Sequence, residues 1–489
     1  MAALARVVRP LRSLLVTEQL PPDWQVQADA GLRIVDNAKL LIGGAPLRVM
    51  RVSGAGANTV KGWFAGEPVG ESTKAGALAR RLLDAGMVHP EFRHWGQTPL
   101  SDLRVTVVIP VKDEAAGLER LLAALPDVPV VVVDDGSATP VVAANAAVIR
   151  REQAGGPGRA RMAGLAAVET DLVAFIDADV EPGPNFLPDL IRHFGDPAVV
   201  AVAPRVRSRF GSSVIDRYET DFSPLDLGAK PANVGPRRPS SYVPTAAFII
   251  RRAALDNVGG FDPGFRFGED VDLVWRLVAA GGTVRYDPTV EVTHDPRRTW
   301  VAWLRQRMAY GSAAPKLAQR HGAAVAPARC SPWSAFAWLL VALRHPFLGG
   351  AVAAASTTTL AGKLSHIPNP NREAGRLAGW GHLHAGRGMA QAVARVWWPI
   401  ALPLAIVMPR TRPAVAAALL GGPMLDWHQS ARRLDPVRAV ALRVIDQMAY
   451  GVGVWKSSID SRSFSALRPD FVSGLGSNEN HEATTVTRS

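Results

Sequence analysis

The segment Leu172-Val173-Ala174-Phe175-Ile176-Asp177-Ala178-Asp179 decides the fold class, because an apolar run ends directly in carboxylates. The same pattern occurs twice upstream, where Val105 to Val111 precedes Asp113-Glu114 and Val128 to Val133 precedes Asp134-Asp135. Continuous apolar runs of this length are typical of strands that are buried on both faces of a parallel sheet. Ligands bind at the carboxyl ends of such strands. The three acidic clusters are therefore predicted to meet in one cleft.

The chain around these strands separates into further regions. Residues 103 to 298 alternate strands and helices, which predicts a doubly wound, Rossmann-like α/β domain. Residues 17 to 98 show short strands broken at Asp36-Asn37 and Gly43-Gly44, followed by two helices. This order favours a winged-helix-like α+β domain, and an N-terminal extension of the next domain is the alternative.

The C-terminal region, 299 to 460, is rich in Ala, Leu, Trp and Arg and is predicted to be mostly helical. Its apolar stretches are each shorter than the roughly 20 residues that a membrane-spanning helix needs. Contact with a membrane surface and burial as ordinary core helices both remain open. The polar tail, 473 to 489, is predicted to be disordered. The apolar stretches are Phe336 to Leu343, Pro346 to Gly362, Val396 to Met408 and Pro413 to Leu425.

Composition limits the classes of partner. The 489 residues carry a formal net charge of +12, which favours anionic partners such as an acidic membrane surface or a nucleotide diphosphate. No nucleic-acid-binding module is recognisable, so nucleic acid is not an expected partner. The single cysteine, Cys330, excludes an intramolecular disulfide and a Cys-rich zinc site. Residues 1 to 16 contain no apolar run of signal-peptide length, so a cytoplasmic location, or the cytoplasmic face of the cell membrane, is expected.

Two acidic motifs carry the chemistry. On an extended segment, the Asp177-x-Asp179 spacing directs both carboxylates to the same side, where they can hold a divalent cation and a diphosphate. The Asp134 to Ser137 segment can accept hydrogen bonds from a nucleobase and a ribose. The alternative interpretations are a solvated loop for the first motif and an acidic turn for the second.

These segments resemble the family 2 glycosyltransferases, which share the GT-A fold. The matching positions are Pro110 to Glu114, Asp134 to Ser137, the Arg-rich stretch from Gly158 to Leu165, and Asp177 with Asp179. The resemblance implies a nucleotide-sugar donor and a Mn²⁺ or Mg²⁺ ion bound by Asp179. It also implies the donor-binding residues, which are Pro110, Asp113, Glu114, Asp134, Asp135, Arg161, Asp177 and Glu269.

The second half of the catalytic region continues the resemblance. Gly259 to Asp262, Gly268 to Leu273 and His294 follow in the family's order. The resemblance implies that Asp270 is the catalytic base, and its position before a helix over Val271 to Ala279 predicts a low pKa. His294 is either a further metal ligand or a buried structural histidine. A single base without a second carboxylate nucleophile predicts direct displacement, and therefore an inverting transferase.

One motif of the processive family members is absent. The Gln-x-x-Arg-Trp sequence is missing from residues 303 to 311, where Arg305 and Arg307 are candidates for steadying the diphosphate. Synthesis of a long polymer is therefore not expected.

The whole chain is similar to the glycosyltransferases of the mycofactocin system. This similarity implies transfer of glucose from UDP-glucose, with a β linkage, to a ribosomal-peptide-derived redox cofactor or its precursor. Residues 17 to 98 resemble winged-helix modules that bind a peptide by adding it to a sheet edge. Two alternatives remain. The first is a cell-wall or lipid-linked sugar transferase, which is compatible with Trp397-Trp398 and Trp455 in a basic region. The second is a non-catalytic peptide-binding protein, in which the α/β domain is a degenerate scaffold.

Overall fold

The computed structural model describes residues 19–92, 104–365 and 368–472. The chain divides into two compact units. The first contains the chain up to Gly211 together with Phe222–Pro296, and the second contains Ser212–Asp221 and the chain from Arg297 onward. Residues 212 to 221 thus belong to the second unit, although they lie inside the segment predicted as the catalytic domain. The predicted disordered tail, 473 to 489, lies outside the described residues.

The first unit begins with a small α+β module. Strands β2, β3 and β4 form an antiparallel sheet, and β1 pairs antiparallel with β5. The α+β prediction is confirmed, but the β1–β5 pair was not predicted, because its partners lie far apart in the chain. Trp24, Val60 and Leu82 are fully buried in the core of the module. The elements are β1 (Gln25–Ala28), β2 (Arg33–Val35), β3 (Leu40–Gly43), β4 (Arg48–Arg51), α1 (Gly54–Phe64), α2 (Thr73–Asp84) and β5 (Val88–Glu91).

The remainder of the first unit is built on a nine-stranded sheet. Its path is β10-β14-β11-β13-β9-β6-β7-β8, and β12 pairs with β14. The predicted α/β fold is confirmed, but the sheet is mixed, because β13 runs antiparallel to both of its neighbours. The elements are β6 (Val105–Val111), α3 (Ala115–Ala124), β7 (Val130–Asp134), β8 (Ala147–Arg150), α4 (Pro157–Leu165), β9 (Leu172–Ile176), β10 (Val180–Pro182), α5 (Phe186–Ile191), β11 (Val199–Ser208), β12 (Ala232–Val234), β13 (Ala247–Arg251), α7 (Arg252–Asn257), α8 (Glu269–Ala279) and β14 (Thr283–His294). Helix α6 (Val214–Phe222) follows β11 in the chain but lies almost entirely in the second unit.

The strands that position the acidic clusters lie at the centre of this sheet. β6 runs parallel to both β7 and β9, so the carboxyl ends of all three strands meet at one edge. Their side chains are almost all apolar and buried; Ile109, Val132 and Phe175 have no exposed surface. Each such side chain contributes about 1.5–3 kcal/mol on burial, which explains why these runs form the core.

A buried carboxylate joins the small module to the sheet. Asp196 accepts hydrogen bonds from Nη1 and Nη2 of Arg80 on α2, at 2.9 and 2.6 Å. Nη2 of Arg285 on β14 donates to Oδ2 of the same carboxylate at 2.8 Å. Asp196 has no exposed surface, so one buried anion is shared by two cations from different parts of the unit, and Arg80 Nη1 also lies 3.7 Å from Asp84 Oδ1.

The second unit is mainly helical, as predicted. Helices α9 and α17 approach closely at Gly453, where a Cβ atom would lie 1.9 Å from the carbonyl oxygen of Met308. Only glycine permits this contact. The elements are α9 (Trp300–Ser312), α10 (Ala314–His321), β15 (Arg329–Cys330), α11 (Pro332–Ala342), α12 (Pro346–Lys363), α13 (Pro370–Ala392), α14 (Trp398–Val407), α15 (Arg412–Ala416), α16 (Gly422–Gln429), α17 (Pro436–Asp460) and β16 (Asp470–Phe471).

Arg307 on α9 has a structural role. Its guanidinium pairs with Glu219 on α6, and its Nε donates to Asp446 on α17 at 2.9 Å. Only 2% of the residue is exposed. The hypothesis that Arg307 steadies a diphosphate is therefore wrong, because its charge is already neutralised inside the second unit. Arg305, by contrast, is exposed.

The apolar stretch from Val396 to Met408 belongs to a much longer helix than its sequence pattern suggested, whereas Pro346 to Gly362 agrees with α12 to within one residue. A π-helical turn, Val393–Trp397, connects α13 to α14, so that Pro370–Val407 is one helix of 38 residues. Within the described residues, this helix alone is both long and apolar enough to cross a membrane, and 28% of its most apolar window is buried. The predicted stretch from Val396 to Met408 thus forms the end of a helix of spanning length.

Candidate active site

The turn after β9 carries the Asp-x-Asp pair. Residues 178 and 179 form a turn instead of continuing the strand, which corrects the expectation of an extended segment. Asp177 and Asp179 are partly exposed, whereas Ala178 is buried. Helix α3 packs against this turn so closely that a Cβ atom at Gly117 would lie 2.5 Å from the carbonyl oxygen of Ala178. The position of the two carboxylates therefore depends on a glycine in α3.

Asp179 faces His294. Strand β10 pairs antiparallel with β14 and places Val180 opposite His294, so that His294 Nε2 lies 3.4 Å from Asp179 Oδ2. In the part of the chain that the structure describes, no group of three or more His, Cys, Asp or Glu residues is arranged to hold a metal. The Asp179 carboxylate nevertheless fits a Mg²⁺- or Mn²⁺-type ion, which takes most of its other ligands from substrate phosphates and water, whereas the His294 imidazole is a less typical ligand for Mg²⁺. The metal-binding roles of both residues stay predictions.

Arg161 lies between two of the acidic segments. Its Nη2 is 2.6 Å from Asp177 Oδ1, and its Nη1 is 3.3 Å from Glu269 Oε1. The guanidinium also lies over the ring of Phe261, at 5.5 Å from the ring centre, and only 2% of the residue is exposed. Arg161 therefore ties the end of β9 to the start of α8. Its predicted contact with the nucleotide sugar stays a prediction.

Asp270 lies in the first turn of α8. The helix begins at Glu269, two residues earlier than predicted, and Asp270 Oδ1 accepts a hydrogen bond from the Val271 N–H at 2.8 Å. Burial, together with the neighbouring Glu269 carboxylate, raises the pKa of Asp270 to about 7. The predicted low pKa is wrong, because a helix N-terminus contributes only about 0.3–1 kcal/mol and the cost of burying the charge is larger. A carboxylate that titrates near neutral pH suits general-base catalysis.

The two carboxylates after β7 are held by internal partners. Asp134 has no exposed surface, and it accepts hydrogen bonds from the Ser137 N–H at 2.8 Å and from Arg150 at 2.5 Å. Burial acts to raise the pKa of Asp134, but these hydrogen bonds outweigh it and lower the pKa. Asp135 pairs with Arg151 and accepts from the Gly156 N–H at 2.7 Å. Contacts of either carboxylate with a nucleoside stay predictions.

Arg150 and Arg151 were missed at the sequence level. Around β7 the sequence analysis considered only carboxylates, although two adjacent cations at the end of the apolar Ala147–Arg150 strand were a usable signal.

The end of β6 contributes the exposed part of the site. Asp113 has a left-handed backbone (φ 54°), and its Oδ1 accepts from the Ala138 N–H at 2.8 Å. The Asp113 N–H donates to Ser137 Oγ at 3.0 Å, which links the ends of β6 and β7. Glu114 is exposed at the start of α3, and Pro110 is half-buried in β6. The structure thus brings the three predicted strand ends together.

Comparison with known proteins agrees with this arrangement. Residues 106–259 match the model of glycosyl transferase family 2. Over 475 residues the chain is 36% identical to the pre-mycofactocin glycosyltransferase of Mycobacterium tuberculosis, an alignment that covers 93% of this chain and 99% of that protein. The chain belongs to glycosyltransferase family 2. This membership confirms the predicted GT-A fold and the predicted enzyme class, a hexosyltransferase.

Two other known proteins resemble this family 2 glycosyltransferase over a shorter alignment or at lower sequence identity. The N-acetylglucosaminyl-diphospho-decaprenol L-rhamnosyltransferase of M. tuberculosis is 43% identical over 58 residues, which are 12% of this chain and 19% of that protein. The structure of a mannosyltransferase from Pyrobaculum calidifontis in complex with GDP-Man and Mn²⁺ is 18% identical, with a TM-score of 0.35. That match covers 59% of this chain and 87% of that chain.

Proposed function

We propose that this family 2 enzyme is an inverting transferase that moves glucose from UDP-glucose, with a β linkage, to a ribosomal-peptide-derived redox cofactor or its precursor, as part of mycofactocin glycosylation. The main support is the relative named pre-mycofactocin glycosyltransferase, because the 36% identity extends over 93% of the chain. The similarity therefore includes regions outside the 106–259 family match. The acceptor proposed here is a peptide derivative.

The chemistry follows from the arrangement of carboxylates. The acceptor oxygen attacks the anomeric carbon as the bond from that carbon to the diphosphate oxygen breaks, and Asp270 takes the acceptor proton. Glu269 is paired with Arg161 at 3.3 Å, which leaves Asp270, with its pKa of about 7, as the better base. A Mn²⁺ or Mg²⁺ ion on Asp179 and His294 would supply positive charge for the departing diphosphate. Direct displacement inverts the anomeric configuration.

Donor binding is proposed for the surrounding side chains. The nucleoside lies near the ends of β6 and β7, and the Arg161–Asp177 pair, 2.6 Å apart, borders the sugar diphosphate. The proposed contacts are Pro110, Asp113, Glu114, Asp134, Asp135, Arg161, Asp177 and Glu269.

The test uses the full chain with Mn²⁺ and a panel of UDP- and GDP-sugars. We expect UDP release from UDP-glucose when pre-mycofactocin is present, and a β-anomeric product by NMR. Asp270→Asn should abolish transfer, whereas Glu152→Gln, which changes an exposed carboxylate, should not. Full transfer by Asp270→Asn would reject the assignment of the base. Transfer only to a polyprenyl phosphate acceptor would favour the lipid-linked alternative.

We also propose that the second unit attaches to the cytoplasmic face of the membrane. Phe347, Ile406 and Val407 are 92%, 73% and 78% exposed, and exposed Arg344 and Arg410 lie close to them in sequence. Apolar side chains flanked by cations favour an anionic lipid surface. Ile406→Glu should reduce co-sedimentation with phosphatidylglycerol vesicles. Val142→Glu, at an 89% exposed position in the first unit, should not, and equal effects of the two changes would contradict the proposal.

A further inference from the structure

The acidic residue directly after His294 has no part in the proposed transfer chemistry. Asp295 lies just past the end of β14, and its backbone N–H donates to the Asp179 carbonyl at 3.1 Å. This hydrogen bond extends the β10–β14 pairing by one residue, since Val180 already lies opposite His294. The backbone at Asp179 is therefore attached to Asp295, while its carboxylate lies 3.4 Å from His294 Nε2.

The Asp295 carboxylate is held by two arginines from different elements. Its Oδ2 accepts from Nη2 of Arg120 on α3 at 2.8 Å, and its Oδ1 accepts from Nε of Arg209. Arg209 directly follows β11, and its own backbone N–H donates to the His294 carbonyl at 2.9 Å. Only 16% of the Asp295 side chain is exposed, so water screens these two ion pairs less than it screens pairs on an open surface.

Both arginines also connect to the turn that carries Asp179. Nη2 of Arg209 donates to Glu181 Oε2 at 2.7 Å, and Glu181 lies on β10, two residues after Asp179. Arg120 lies on α3, the helix whose Gly117 packs directly against the turn. Asp295 thus joins α3, the end of β11 and the start of β10 at the place where Asp179 leaves the sheet.

We propose that Asp295 is a positioning residue, which holds the Asp179 carboxylate in place for a divalent cation that binds together with the nucleotide diphosphate. The two guanidinium groups occupy both oxygens of Asp295, so it acts through its backbone bond to Asp179 and not as a ligand. Groups that orient a metal ligand change metal affinity by about 10–100-fold when they are replaced. This role rests on the proposed function, since it takes Asp179 to be the residue that binds the ion.

Charge alone predicts the opposite effect for the two arginines. Arg120 and Arg209 are positive and lie close to the place proposed for a cation, so their removal would strengthen cation binding if only repulsion counted. If they hold Asp295 instead, their removal weakens cation binding, because the turn with Asp179 is less firmly attached. The direction of the change therefore separates positioning from simple electrostatics.

The test titrates Mn²⁺ into the full chain with UDP and follows free Mn²⁺ by electron paramagnetic resonance, which requires no transfer reaction. A titration with UDP alone accounts for the Mn²⁺ that free nucleotide binds. We expect Asp295→Asn to raise the Mn²⁺ dissociation constant by about tenfold. Arg209→Gln and Arg120→Gln should each raise it by a smaller factor, and Asp179→Ala should abolish the binding that exceeds that of UDP.

The first unit contains a matched control pair on the same strand. Arg205 on β11 donates to both oxygens of Asp226, at 2.7 and 2.9 Å. Arg205 lies four residues before Arg209, which is about 13 Å along the strand. Asp226→Asn and Arg205→Gln therefore make the same changes of charge away from Asp179, and they should leave Mn²⁺ affinity unchanged.

Melting temperatures show whether the variants keep the fold. The Arg120 side chain is 43% exposed, so Arg120→Gln should melt at the wild-type temperature. This variant carries the test if Asp295→Asn does not fold.

Three results would overturn the role of Asp295. They are Mn²⁺ binding by Arg120→Gln and Arg209→Gln that is at least as tight as in the wild type, equal weakening by Asp226→Asn and Asp295→Asn, and no binding by the wild type beyond that of UDP. Glucose transfer to pre-mycofactocin is measured on the same samples. Transfer by the wild type, with unchanged Mn²⁺ affinity in both arginine variants, overturns the role of Asp295 and leaves the proposed function standing. Weaker Mn²⁺ binding by the variants, with no transfer by the wild type, does the reverse.

Discussion

The pH dependence of sugar transfer tests the role of Asp270. Burial and the Glu269 carboxylate raise its pKa to about 7, and a general base must be ionised to accept a proton. Ionisation is therefore lost as the pH falls through 7. We expect UDP release at saturating UDP-glucose to be about tenfold slower at pH 6 than on the alkaline plateau, and to fall by about tenfold for each further pH unit.

Two charged neighbours of Asp270 should shift, in opposite directions, the pH at which the rate begins to fall on the acid side. We call this part of the pH–rate profile the acid limb. Glu269→Gln removes a like charge, so the pKa of Asp270 falls and the limb moves to lower pH. Arg161→Met removes an opposite charge and moves the limb to higher pH. A displacement of about one pH unit corresponds to about 1.4 kcal/mol of interaction. The reasoning would be refuted if the acid limb of Glu269→Gln lay at the same pH as that of the wild type. It would also be refuted if the residual activity of Asp270→Asn depended on pH in the same way as the wild-type activity. Glu152→Gln is the control, because it changes an exposed carboxylate.

Three further predictions follow from the geometry. Asp179→Ala should lower Mn²⁺-dependent UDP release by about a hundredfold or more, because it removes the carboxylate proposed to bind the ion; unchanged dependence of the rate on Mn²⁺ would contradict this. Gly117→Ala should raise the Mn²⁺ concentration needed for half-maximal rate, because its Cβ would lie 2.5 Å from the Ala178 carbonyl oxygen and displace the turn; a wild-type Mn²⁺ titration would disprove it. Asp196→Asn should destabilise the first unit by about 3–5 kcal/mol, because it removes the buried anion that Arg80 and Arg285 share, and a wild-type melting temperature would count against it.

Two of the three central strands could be predicted from the sequence to the residue, whereas β7 runs from Val130 to Asp134 and not from Val128 to Val133. The predicted bounds of β6 and β9 agree with the structure because both are continuous runs of apolar, mostly branched residues ending in polar ones. The order and direction of the neighbouring strands could not be predicted in the same way. Strand β13 lies between β9 and β11 in antiparallel orientation, which depends on pairing across the whole domain and not on the local pattern.

The meeting of the strand ends could be predicted from the sequence, but the electrostatics of the cleft could not. The strand-end carboxylates do converge, since parallel neighbours place their ends at one sheet edge. The pKa of Asp270 could not be predicted, because it depends on burial and on Glu269, which only the folded chain defines. The role of Arg307 was wrong for a similar reason. Its partners, Glu219 and Asp446, are distant in sequence, and no local pattern indicates that its charge is neutralised.

The carboxylate of Asp196, which Arg80 and Arg285 both contact, has a consequence for the independence of the N-terminal module. The charge of Arg80 on α2 is compensated by a residue that lies outside the module, so a fragment that ended at Glu91 would leave this guanidinium without Asp196. The module is therefore expected to be less stable when it is expressed alone, and grafting it onto another catalytic domain would require a carboxylate in the place of Asp196.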